Sequence, residues 1–123
     1  NIYQSELRKR NPHIKITEVW GRNLAKFIED GDEVSIKAFV DDYIAPHKVS
    51  QILLACTHYP LIANHIKKVS QAILIDSINV LSECVKQYPP SNENSIIIAT
   101  SNPQRFQFKI KHLFQDDVEV KDL

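Results

Sequence analysis

The sequence predicts an α/β fold, parallel sheets flanked by helices, and three observations carry that prediction. Strand-like segments alternate with helix-like ones along the 123 residues. The strands at residues 52–55 and 95–99 read as continuous apolar runs (Ile52-Leu53-Leu54-Ala55, Ile96-Ile97-Ile98) and not as alternating ones, the pattern of a parallel sheet covered on both faces. Finally, the first of these runs ends in Cys56-Thr57-His58-Tyr59-Pro60. A thiol and an imidazole thus sit at a strand tip, facing the crevice in which open α/β sheets bind their ligands. Pro60 then restricts the turn.

Each element follows from periodicity and punctuation. Residues 2–10 read as the end of a helix closed by Asn11-Pro12, and residues 13–19 alternate with the period of a strand. Residues 23–28 (Leu24, Phe27, Ile28) and 34–44 (Ile36, Phe39, Val40, Tyr43, Ile44) carry apolar side chains at helical spacing, and Asp30-Gly31-Asp32 turns the chain between them. Both helices should lie on a sheet. The strand at 52–55 is followed by a helix over 61–69, a strand over 72–75 and a helix over 78–87. After the loop Pro89-Pro90-Ser91-Asn92-Glu93-Asn94 come a strand over 95–99, a helix over 104–114 and a short strand over 118–120.

Composition excludes several classes. Fifteen basic and fifteen acidic residues balance, so no global field draws the chain to nucleic acid or an anionic membrane. No apolar run approaches the roughly twenty residues of a membrane span, and no signal-peptide pattern opens the chain, which predicts a cytoplasmic protein. Two glycines leave no glycine-rich phosphate loop. The two cysteines form no Cys-x-x-Cys pair and are expected to be free thiols. Cys56, His58 and His65 lack the second short-spaced pair that zinc sites use, so no metal is expected. Cys84 lies on the apolar face of its helix with Ile78 and Leu81, where it reads as a packing residue. His13, His47 and His112 stand beside charged or turn residues and read as exposed, and Arg8, Lys9 and Arg10 suit a helix C-terminus.

Taken alone, a Cys closing a buried strand is more often a packing residue than a reactive one. The whole stretch Leu-Leu-Ala-Cys-Thr-His-Tyr-Pro-Leu-Ile, however, resembles the second cysteine motif of the glutamate racemase family, within the aspartate/glutamate racemase superfamily. Weaker likenesses extend over nearly the whole chain. Tyr3-Gln4-Ser5-Glu6-Leu7 looks like the helix after the family's Thr/Ser-rich loop, and Phe27-Ile28-Glu29-Asp30-Gly31 like its Val-Pro-Leu-Val-Glu-x-Gly segment. Ile75-Asp76-Ser77 looks like its Ile-Asp-Ser/Pro, and residues 98–106 like its closing Val-Thr-Gly-Asp-x-x-x-Phe. Ala55 replaces the family's usual Gly. Val19-Trp20-Gly21 replaces an Ala-Cys-Pro, so Trp20 is expected to narrow the pocket.

The resemblance implies a two-domain, pseudo-symmetric fold in which residues 1–76 are an incomplete second domain carrying the cysteine motif and residues 77–123 return to the first domain. The family's opening Asp-Ser and first cysteine motifs have no counterpart here, and the chain begins without Met in what reads as mid-helix. A fragment, a split relative or an excised domain is expected, completed by an N-terminal half or a second copy of the chain.

Racemising an amino acid without a cofactor requires two bases on opposite faces of a weakly acidic Cα–H, a task that suits thiolates. By resemblance Cys56 is the base or acid on one face and His58 assists its proton transfer. Thr57 contacts the substrate through its backbone N–H or hydroxyl. Glu29 reads either as an acid or polar contact at the site or as a solvated helix-end carboxylate. The implied activity is interconversion of L- and D-glutamate for peptidoglycan, impaired in this chain because the opposing thiol has no candidate in it. The alternatives are another racemase, a one-base decarboxylase or isomerase of the superfamily, and a non-catalytic binding module.

Overall fold

A computed structural model describes residues 2–89, 97–115 and 117–122. Its order is α1 (Ile2–Arg10), α2 (Leu24–Asp30), α3 (Glu33–Tyr43), β1 (Gln51–Leu53), a 3₁₀ turn (Tyr59–Ile62), α4 (Ala63–Val69), β2 (Ile73–Ile75), α5 (Ile78–Val85), β3 (Ile97–Ala99), α6 (Pro103–Phe114) and β4 (Val120–Asp122). The strands form two parallel pairs, β1 with β2 and β3 with β4. The α/β class with parallel pairing is therefore as expected. Of the 89–94 loop only Pro89 lies within the described residues, as do only the last three residues of the expected strand at 95–99.

The core is built where α2, α3 and α4 meet the end of β1. Leu24 and Ile28 from α2, Ile36, Phe39 and Val40 from α3, and Ile66 from α4 surround Leu54 and Ile62. The spacing of the α3 residues puts them on one stripe, which is why this helix forms and docks as it does. Asp32 starts it, its carboxylate accepting the Ser35 N–H at 3.0 Å and the Ser35 hydroxyl at 2.6 Å. Gly31 ends α2 in the left-handed region (φ 66°), where a residue without Cβ carries no steric cost. Its N–H reaches Ile28 O, and Asp32 N–H reaches Phe27 O at 2.9 Å, which closes the helix.

Several expectations need correction. Residues 13–19 form no strand. Their alternation is real, because Ile14, Ile16 and Val19 are half-buried between exposed neighbours, but it reports one-sided burial and not a hydrogen-bonded ladder among the described residues. This segment faces β1 across a groove of about 540 Å³ whose walls include Ile14, Ile16, Ile52 and Leu54.

The sheets are also less covered than continuous apolar strands imply: Ile73 is 64% exposed, and Leu53, Ile75 and Ile98 are exposed too. No described helix closes over those faces. Finally, Cys84 is exposed, and α5 buries none of its residues, so its apolar stripe has no packing surface among the described residues. His13 and His112 are exposed as expected, whereas His47 is half-buried. The last strand starts at Val120, two residues later than its apolar pattern suggested, with Val120 as its buried residue.

The core predicts a sharp contrast in urea unfolding. Ile66→Ala, in the packed centre, is expected to cost about 2–5 kcal/mol. Val34→Ala, on the 81%-exposed outer face of α3, should change stability by no more than about 0.5 kcal/mol. Equal midpoints for the two variants at constant m-value would contradict this placement of the core.

Candidate active site

The site is made by a strand end and a helix end that face each other. Leu54 N–H still bonds to Ile75 O at 2.8 Å beyond the last residue of β1, and the Leu54 side chain is buried, so the chain leaves the sheet at Ala55. It then folds at once into a turn. Tyr59 N–H reaches Cys56 O at 3.3 Å and Leu61 N–H reaches His58 O at 3.0 Å, with Pro60 in the first turn of the 3₁₀ segment, where a missing N–H is harmless. The Tyr59 ring anchors the turn by lying against Gly21, where an added Cβ would stand 2.0 Å from the phenolic oxygen. Burial first, and the nearby Cys56 second, push the Tyr59 hydroxyl above its ordinary value.

Within this turn Cys56 Sγ lies 3.8 Å from His58 Nδ1. The Thr57 hydroxyl is 3.5 Å from the same nitrogen, at the outer limit of a hydrogen bond, and Thr57 is exposed. His58 Nε2 is 2.9 Å from Oε1 of Glu29 at the end of α2. An ionised carboxylate only accepts, so Nε2 carries the proton and donates it. In the neutral ring Nδ1 is then the acceptor, within reach of both the thiol and the Thr57 hydroxyl. Cys56, His58 and Glu29 thus stand in a thiol–imidazole–carboxylate row.

Of the four residues singled out from the sequence, the structure brings Cys56, His58 and Glu29 into one hydrogen-bonded row and sets Thr57 at its rim. Glu29 is not a free helix-end carboxylate. Its second oxygen, Oε2, accepts from Lys109 Nζ at 2.5 Å. Lys109, then His58, hold the Glu29 carboxyl below the ordinary carboxylate range, against a small opposing effect of burial. Sequence reading did not reach Lys109, which lies 80 residues away on α6 and carries no local signal. Trp20 is 73% exposed. His65 bonds instead to Glu33, at 2.9 Å.

Over 94 residues, 72% of its length, the chain is 34% identical to the glutamate racemase of Lactobacillus acidophilus. It is 42% identical to that of Lactobacillus helveticus over 68 residues, 52% of its length. Its fold superposes on the crystal structure of the glutamate racemase isoform RacE1 of Bacillus anthracis with a TM-score of 0.81 at 20% identity, over 99% of this chain. The chain is thus similar in sequence to one part of the glutamate racemases and shares the fold of that part. No family model matches it.

The chain spans 34% and 26% of the two Lactobacillus racemases and 52% of the Bacillus chain. No described helix is long and apolar enough to cross a membrane.

Glu29 makes the site sensitive to acid in a defined direction. A carboxyl whose value is lowered on folding from an ordinary 4.5 contributes stability that is fully present above that value and is lost as pH falls through the lowered one. The stability difference between the wild-type chain and Glu29→Gln is therefore expected to be constant near neutrality and to close in acid below the ordinary value. A difference that widens on acidification, followed by urea unfolding across pH, would contradict the pairing.

Proposed function

We propose that this chain supplies one face of a cofactor-independent glutamate racemase, with Cys56 as the base or acid on that face. The observation that carries the reading is the row Cys56–His58–Glu29, in which the imidazole nitrogen not bonded to Glu29 faces the thiol. His58 Nδ1 takes the Cys56 proton, the thiolate removes the α-proton of glutamate, and the carbanion receives a proton on its opposite face from a second acid. Read in reverse, Cys56 delivers the proton and His58 replenishes it. Thr57, exposed beside Nδ1, is suited to contact the substrate, while Glu29, committed to His58 and Lys109, orients the imidazole.

The second acid is a residue of another polypeptide segment. Cys84 is exposed, on a helix that buries none of its residues. The partner is an N-terminal racemase segment or another copy of the chain, and the groove between residues 14–19 and β1, with apolar walls and one edge of β1 unpaired among the described residues, suits an added strand. Residues up to about Asp76 form one domain in this reading, and the remainder belongs to a second. This agrees with two separate sheets and with a core drawn wholly from residues 24–66. The product is D-glutamate, made in the cytoplasm for peptidoglycan.

The test is Cα–H exchange of L- and D-glutamate in deuterated buffer, followed by proton NMR, with the chain alone and with the N-terminal part of a Lactobacillus relative added. Exchange of one enantiomer by the chain alone, or of both after the addition, is expected, with a loss of at least about 100-fold in Cys56→Ala, the scale of a positioned base. Exchange that survives Cys56→Ala, or none in either mixture, would overturn the proposal.

A further inference from the structure

α2 ends in an unusual electrostatic position. Glu29 and Asp30 are its last two residues and no basic residue occupies its last turn, so two carboxylates meet the negative end of the helix macrodipole. Two lysines answer this. Lys26, 72% exposed, pairs with Asp30 along the helix surface. Lys109 is different: its side chain is only 22% exposed, it comes from α6, and it takes Oε2 of Glu29.

Its neighbours on α6 fit the same docking. Arg105, one turn earlier, and Lys109 both lower the Asp30 carboxyl through their charge, after Lys26. His112, nearly one turn later, sits where a Cβ on Gly31 would come within 2.7 Å of its Nε2. Positions 105, 109 and 112 share one helical face, and that face lies along the C-terminal end of α2.

A carboxylate held at one oxygen by His58 alone can rotate and present either oxygen, or turn to water. Held at both, it cannot. We propose that Lys109 is a positioning residue for the thiol–imidazole pair: by taking Oε2 of Glu29 it aims Oε1 at His58 Nε2 and fixes the imidazole tautomer whose open Nδ1 faces Cys56. The proposal rests on the reading of Cys56 and His58 as a proton-transfer pair. It makes the seating of α6 on α2, through a carboxylate eighty residues earlier in the chain, a determinant of the reactivity of the Cys56 thiol.

The test is the rate of Cys56 alkylation by iodoacetamide at neutral pH, with the modified peptide resolved by mass spectrometry from that of the exposed Cys84, in Lys109→Met, Lys109→Arg and His58→Asn. Alkylation of Cys56 is expected to fall roughly 2–5-fold in Lys109→Met, the scale of a part-exposed ion pair, and to recover in Lys109→Arg. Nitrogen-15 NMR of His58 should show the Nε2–H tautomer in the wild type and a mixture in Lys109→Met, a signature that a merely structural lysine would not move. An unchanged rate and tautomer in Lys109→Met, with slower alkylation in His58→Asn, would overturn the role of Lys109 alone. Alkylation unchanged in His58→Asn as well would overturn the proton-transfer pair beneath it.

Discussion

Parallel pairing of β1 with β2 sets Leu53 opposite Ile75, and Leu54 extends the ladder by one more bond to Ile75 O. Because Leu54 is also a core residue, the position at which the backbone leaves the sheet is determined twice, by hydrogen bonding and by burial. A slip of one residue would turn Leu54 to the other face and carry the thiol away from α2. The site therefore depends on a register, and the register depends on a leucine.

From that point the chemistry is a matter of short reach. Three residues of turn place a thiol and an imidazole side by side, and the C-terminal end of α2 brings a carboxylate to the other ring nitrogen. Along the row the lysine offsets the charge of the carboxylate, whose other oxygen accepts from the imidazole. None of these groups is deeply buried, so each contact has a modest energy, and geometry more than strength gives the row its meaning. Gly31 and Gly21 serve the same end by admitting close neighbours, His112 over the end of α2 and Tyr59 over the approach to it.

The local part of this arrangement was legible in the sequence. Cys56, Thr57 and His58 are consecutive, and an apolar run that ends in them reveals both the strand and its tip. Helices α2 and α3 and the turn at Gly31 were equally plain, because each carries its own periodicity or backbone requirement. What was not legible depends on partners far along the chain. Lys109 has no neighbour in sequence that marks it, and the commitment of Glu29 to His58 is visible only once the two are folded together. Residues 13–19 misled for the opposite reason, since alternation reports burial on one side, and a strand also requires a ladder. Cys84 misled likewise, because an apolar stripe needs a surface to pack on.

The central claim is that Cys56, His58 and Glu29 act as one unit, and a double-mutant cycle on Cys56 alkylation tests it most directly. His58→Asn, Glu29→Gln and the double variant would be compared with the wild-type chain. If Glu29 acts through His58, the double variant reacts no more slowly than His58→Asn alone, a non-additivity characteristic of residues in one network. Independent effects that multiply in the double variant would show that the carboxylate and the imidazole act separately on the thiol, and would contradict the account.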